Sequence, residues 1–289
     1  MKELHSKIDA SVNFVTPCED GGFFESRYVR REKDYFICYL SSHSGCKFSC
    51  QFCWLTATKQ TMMRPARHHD FLNQVEKVVK HYKTQEEARV IHFNWMARGE
   101  PLDNPGVDYV LLEDLASMAH TSLNRLLPKF NISTIMPKGF NGDLARRFSP
   151  IYPTIYYSLY SLNPEFRAKW MPGAMDPYKA LDMLAQYQQD TKKIIYLHGA
   201  IIRGENDSYR NWKDIFQEIQ NRNLLCKMNI VKYNPPAGSL TKEAGPDQLD
   251  LIKYWAHGHG ISCKIVKPVD TLVRASCGQF VTAEEYEAI

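Results

Sequence analysis

Three cysteines, Cys46, Cys50 and Cys53, stand in a Cys-x3-Cys-x2-Cys run. Thiolates this close can wrap one corner of a metal centre, and soft sulfur ligands select iron–sulfur clusters or zinc. Three ligands rather than four leave one iron of a [4Fe–4S] cubane open. An open iron can chelate the amino and carboxylate groups of S-adenosylmethionine (SAM), and electron transfer then cleaves the sulfonium. Phe52, just before the last cysteine, would pack against that cofactor and shield the cluster. The alternative is a structural zinc site, which needs a fourth ligand; His43 is at hand. That alternative makes the chain a zinc-stabilised RNA-binding module rather than an enzyme, and iron and sulfide content separates the two.

The rest of the composition sets bounds. With 289 residues, 44% hydrophobic and 24% charged, the chain can bury a core without disulfides. Its eight cysteines therefore read as metal-binding or catalytic thiols. No apolar run approaches the ~18 residues of a membrane span, and Met1–His5 lacks the apolar stretch of a secretory signal. A cytoplasmic monomer with no membrane partner is expected. The net charge of +4 is mild. Arg27, Arg30, Arg31 and Lys33 precede the cysteine loop, and Lys59, Arg64, Arg67, His68 and His69 follow it. Such clusters form either a solvated face or a phosphate-binding rim. Cys18, Cys226 and Cys263 lack a comparable setting and read as core or incidental thiols.

Strand-like and helix-like stretches alternate along the chain. Strands are expected over 34–42, 89–96, 129–136, 154–161, 194–202, 226–233 and 262–267. Helices are expected over 71–82, 109–120, 177–188, 211–221 and 246–257, with a short one near Asp143. Alternation of this kind implies a parallel sheet with right-handed crossovers. Six or so units are fewer than a closed barrel needs, so the expected fold is α/β, a partial (β/α)6 barrel open on one side. Ligands then sit at the C-terminal strand ends, where the cysteine loop follows the first strand. Residues 1–33 are expected as a short extension and 34–289 as the core domain.

The stretch from Cys38 to Cys53, CYLSSHSGCKFSCQFC, resembles the RlmN/Cfr family of dual-cysteine radical SAM RNA methyltransferases. Other segments are similar to that family in order: Asp20–Ser26, Gly99-Glu100-Pro101-Leu102, Ser133-Thr134, Ser158-Leu159-Tyr160, Gly204–Ser208, Tyr233-Asn234-Pro235 and Ala275-Ser276-Cys277-Gly278-Gln279. Cys38 lies eight residues before Cys46, one more than the family spacing, which reads as a small insertion. Tyr160 stands where the family has histidine. The residues before Asp20 are too few for the helical RNA-holding domain that family members carry, so an altered grip on substrate is expected.

The resemblance implies a radical SAM barrel that places a methyl on carbon 2 or carbon 8 of an adenine in transfer or ribosomal RNA. It implies Cys46, Cys50 and Cys53 as cluster ligands. Phe52, Gly99, Glu100, Ser133, Ser158, Leu159, Tyr160 and Asn234 would surround SAM. Cys277 would accept a methyl and carry it, as a carbon radical, onto the base. Glu25 would remove the proton from the base carbon, and Cys38 would release the product by attacking the Cys277 sulfur, leaving a disulfide. An electron donor such as flavodoxin is an implied partner. The rival enzyme reading keeps the radical SAM core and changes the substrate to something other than RNA.

Overall fold

The computed structural model describes residues 1–236 and 238–289. Its frame is one ten-stranded sheet whose spatial order follows the chain. The strands are β1 (Lys2–His5), β2 (Val12–Pro17), β3 (Phe23–Glu32), β4 (Tyr35–Tyr39), β5 (Val90–Trp95), β6 (Leu127–Thr134), β7 (Thr154–Ser158), β8 (Ile195–Ala200), β9 (Cys226–Val231) and β10 (Ser262–Val266). From β4 to β10 every pairing is parallel. The helices are α1 (Trp54–Ala57), α2 (His68–Tyr82), α3 (Tyr109–Ser122), α4 (Leu144–Phe148), α5 (Pro164–Trp170), α6 (Pro177–Thr191), α7 (Tyr209–Asn221), α8 (Pro246–Gly258) and α9 (Ala283–Ala288). The expected (β/α)6 series is therefore present, each expected strand and helix within a few residues of its place. No helix among the described residues is long and apolar enough to cross a membrane.

Helix starts follow local chemistry. Asp176 accepts hydrogen bonds from the amides of Tyr178 and Lys179, and Pro177 fills the first turn of α6, where a missing N–H costs nothing. Ser208 caps α7 in the same way. In α2 the periodic residues Phe71, Val75, Val78 and Val79 are buried against the outer face of the sheet. Each such side chain contributes about 1.5–3 kcal/mol of burial.

Residues 1–33, expected as an extension, supply three antiparallel strands of the same sheet. β3 escapes a pattern search because it buries charge: Glu25 and Arg27 lie among Phe23, Phe24, Tyr28 and Val29, so no apolar alternation marks it. The sheet does not close by hydrogen bonding, since β10 pairs with β9 alone. The chain after β10 crosses the open seam instead. Val269 and Val273 pack on Val29 and Ile37, and Arg31 donates to the Lys267 carbonyl at 2.8 Å.

Side chains alternate between the two faces of each strand. Tyr28, Cys38, Phe93 and Phe130 form one cross-strand row, and all four pack in the outer core under the helices. The next row, Arg27, Tyr39, Asn94 and Asn131, faces the barrel interior.

Candidate functional site

Two cavities meet at the C-terminal ends of the parallel strands. Cys46, Cys50, Cys53, Gly99, Glu100 and Thr134 line the first. Tyr39, Tyr160, His198, Asn234 and several cations line the second. Phe52, Met96, Ser133, Ser158 and Cys277 border both, so Cys277 stands at their junction.

The cysteine loop is pinned by its backbone. The Cys46 amide donates to Gln60 O and the Gln51 amide to Trp170 O, each at 3.0 Å. Phe52 stacks on Tyr160 with ring centroids 4.4 Å apart and planes 10° from parallel. Burial pushes the Cys46 thiol up to about 12 and Cys53 up to about 11, and Cys50 lies well above its ordinary value for the same reason. Thiols this buried become thiolates only against a strong positive centre. Among the described residues no group of three or more His, Cys, Asp or Glu closes on a single metal ion. All three thiols open on one chamber, and soft sulfur ligands of this kind suit an iron–sulfur cluster. His43 does not complete a zinc site: its Nδ1 lies 3.1 Å from Ser42 Oγ and its Nε2 3.8 Å from Asp103.

The same chamber fits the amino acid end of SAM. Glu100 is buried, and its oxygens accept from the amides of Leu102 (3.1 Å) and Ile135 (3.0 Å). Burial pushes its carboxyl up to about 7, so a bound ammonium would stabilise the charged form. Gly99 has φ +92, and a Cβ there would sit 2.6 Å from Ser42 Oγ, so only glycine lets Glu100 reach the chamber. Ser133 and Ser158 also line the chamber. Leu159 differs: it points into the outer core and borders neither cavity, because the strand alternation that turns Ser158 inward turns its neighbour out.

Cys277 sits on a strap, residues 273–281, tied down on both sides. Asn13 donates to Val273 O at 3.0 Å. Arg27 donates to Ala275 O at 3.3 Å and Gln279 O at 3.0 Å. Arg98 donates to Val281 O. Asn234 donates to the carbonyl of Cys277 itself at 3.0 Å. Gly278 brings the strap against the cysteine loop: its carbonyl accepts from Trp54 N at 2.9 Å, its φ is +77, and a Cβ would lie 3.0 Å from Phe52 O. Solvent reaches Cys277 through the cavity. The surrounding protein nevertheless raises its thiol to about 12; the desolvation and nearby Cys53 outweigh the opposing Arg27.

Glu25 is the hub of this strap rather than a free base. Asn13 (2.8 Å) and Arg27 (2.7 Å) donate to its Oε2, and Arg98 (2.8 Å) and the Val281 amide (3.0 Å) to its Oε1. It is 0% exposed and borders neither cavity. Burial opposes its ionisation, but Arg98 and Arg27 outweigh that and hold the carboxyl below its ordinary range. A fully occupied carboxylate of this kind does not take a proton from a substrate. Arg98, which precedes the Gly-Glu-Pro motif, carries no mark in the sequence because burial alone distinguishes it.

Cys38 requires the largest correction. It is 0% exposed, in the outer core between Tyr28 and Phe93, on the far side of the sheet from Cys277. Its neighbour Tyr39 borders the Cys277 cavity instead. The β4–β5 register runs without interruption from Tyr35 to Tyr39, so Cys38 and Tyr39 stand on opposite faces of the sheet. In a strand, one residue of offset moves a side chain to the opposite face. The five arginines flanking the loop also disperse. Arg27 is buried in the strap, Arg30 is tied to carbonyls including Glu87 O at 2.9 Å, and Arg64 pairs with Asp70 at 3.2 Å. Arg67 forms the N-cap of α2. Only Arg27 and Arg31 of the five border a cavity.

Comparison with known proteins agrees with this geometry. The Radical SAM superfamily profile matches residues 40–231. The dual-specificity RNA methyltransferase RlmN of Bdellovibrio bacteriovorus is 24% identical over 280 residues, 96% of this chain and 67% of the relative. The RlmN of Campylobacter hominis is 28% identical over 299 residues, 96% of this chain and 79% of the relative. A crystal structure of a radical SAM methyltransferase from Sphaerobacter thermophilus superimposes with a TM-score of 0.79 at 19% identity, covering 96% of this chain and 80% of the other. The last likeness is one of fold.

Proposed function

The chain belongs to the radical SAM superfamily, and on that premise we propose that it methylates an adenine base of RNA, with Cys277 as the protein group that carries the methyl. A [4Fe–4S] cluster and SAM are the superfamily's cofactors, and when bound they supply a 5′-deoxyadenosyl radical by reductive cleavage of SAM. The chain's own residues divide the remaining work. Cys46, Cys50 and Cys53 hold the cluster, and Glu100 receives the SAM ammonium. Ser133 and Ser158 offer hydroxyls at the boundary of the two cavities. Cys277 would be the methyl acceptor: its thiol would give its proton to solvent at the cavity and its sulfur would take the methyl that SAM supplies, with S-adenosylhomocysteine as the leaving group.

The observation that carries this reading is the position of Cys277 between the cluster chamber and a second, basic cavity. A carrier must face both the methyl source and the acceptor. The RNA part is supported by the names of the relatives. Carbon 2 or carbon 8 is the position the motif resemblance points to, and a flavodoxin-type donor would supply electrons. The basic cavity, about 170 Å³, admits a planar base and not a stacked helix, so a paired target would have to be extruded.

The test has two parts. Protein reconstituted with cluster and SAM, without RNA, should carry an S-methyl group on Cys277 by peptide mass spectrometry. Nucleosides of total RNA from cells expressing the chain should gain 2-methyladenosine or 8-methyladenosine, and Cys277→Ala should abolish the gain. An unmodified Cys277 together with an unchanged nucleoside profile would sink the reading.

One observation favours a second reading, the same core acting on a substrate other than RNA. Outside the cluster triad, Cys277 is the one cysteine among the described residues that borders either cavity. A release step that needs a second protein thiol has none there. Methylated Cys277 with no change in any RNA nucleoside would select this reading.

A further inference from the structure

The second cavity is lined by Arg27, Arg31, Lys232 and Lys267, and by no Asp or Glu among the described residues. The four cations arrive from three directions. Arg27 and Arg31 come from β3, Lys232 follows β9, and Lys267 follows β10 where the chain crosses the seam. Arg27 is already neutralised by Glu25 at 2.7 Å. Arg31 spends one N–H on Lys267 O, which fixes both residues at the seam. Another partner of Arg31 is the Tyr39 hydroxyl, and Arg31 and the two lysines line the mouth, with Lys232 and Lys267 exposed and Arg31 half-buried. Cations gathered in a low-dielectric cleft raise the local potential and favour an anion. A guanidinium beside two ammonium groups suits a phosphate, which accepts from all three.

We propose that the mouth between Arg31, Lys232 and Lys267 is a phosphate subsite for the nucleotide whose base enters the cavity beside Cys277. The proposal rests on the nucleic acid reading above for its choice of ligand. It differs from that reading in naming the group that fixes the substrate's register: the backbone phosphate adjoining the target base. Neutral interior groups, among them Ser158 and Asn234, are left to meet the base.

The test uses cluster-loaded enzyme and calorimetric titration with adenosine 5′-monophosphate, adenosine and inorganic pyrophosphate. The monophosphate should bind at least about tenfold tighter than adenosine, the scale of one charge-assisted hydrogen bond. In the Lys232→Ala/Lys267→Ala double variant that gap should close, with the affinity for adenosine unchanged. Both lysines are exposed, so the variant removes charge without opening the core. For a single-stranded RNA oligonucleotide, the slope of log K against log salt should fall by about 0.7 in magnitude, the value for one phosphate no longer neutralised. Equal affinities for the monophosphate and adenosine in the parent, or a gap that survives in the variant, would overturn the subsite. The two readings separate cleanly. Lysine-dependent pyrophosphate binding that RNA cannot displace keeps the subsite and removes the RNA reading. RNA bound and methylated equally by the double variant does the reverse.

Discussion

Replacing Cys38 by alanine distinguishes a core thiol from a catalytic one. The side chain is 0% exposed on the outer face of β4, between Tyr28 and Phe93, so its removal should cost stability and nothing else. Deleting a buried group of about one methylene loses roughly 0.8 kcal/mol of transfer energy. The residual cavity adds a comparable amount, for a total of about 1–2 kcal/mol. In a chain of this length that lowers the melting temperature by a few degrees, at about 2–4 °C per kcal/mol. Cys38→Ala should therefore melt earlier by calorimetry and still methylate RNA at the parent rate. It should also leave no protein–RNA adduct on a denaturing gel. Tyr39, not Cys38, faces the Cys277 cavity, so diamide oxidation of the parent should yield no Cys38–Cys277 disulfide by mass spectrometry. A Cys38→Ala protein that keeps its melting temperature but accumulates a nuclease-sensitive covalent band would refute the assignment of Cys38 to the core.

Three further outcomes follow from the strap and the barrel interior. Glu25→Gln leaves Arg98 and Arg27 buried without their counter-charge, at a cost of about 3–5 kcal/mol; iron content should be retained, while Cys277 becomes more reactive to iodoacetamide as the strap loosens, and unchanged alkylation kinetics would contradict the clamp. Gly278→Ala should cost about 1–2 kcal/mol for its positive φ and slow methylation of Cys277 more than SAM binding, because the added Cβ meets Phe52 O at 3.0 Å; an equal effect on both would count against it. Burial depresses His198 to about 4, so the unfolded chain binds more protons than the folded one between that value and its ordinary 6.5. Stability should then fall as pH drops through this window, by at most about 1.4 kcal/mol per pH unit from this residue, and His198→Gln should flatten the denaturation midpoint against pH over the same range.

Much of the molecule is legible without coordinates because its signals are local. The β/α alternation, the cap of α6 at Asp176-Pro177 and the Cys-x3-Cys-x2-Cys loop depend on near neighbours, and the structure keeps each in place. Gly99-Glu100 and Ala275–Gln279 are short runs whose positions at strand ends follow from that alternation. β1 to β3 are not legible, since β3 replaces apolar residues with the charged strap partners Glu25 and Arg27. Neither is the strap, whose bonds join Asn13, Arg27 and Arg98 to carbonyls about 180 to 260 residues away. The basic mouth likewise gathers side chains from β3, the end of β9 and the seam.

Sequence by itself determined the fold class, the spacing of Cys46, Cys50 and Cys53 and the presence of Cys277 in its loop, because helix and strand periods and loop motifs are properties of adjacent residues. Which face of β4 a residue occupies was left to the tertiary structure. Spacing along the chain places Cys38 within reach of the site, but the pleat turns it toward the helices and turns Tyr39 toward the cavity that Cys277 also borders. The physical reason is the period of the strand: a single residue of offset, invisible as a small change in loop length, is half a period and exchanges the two faces of the sheet.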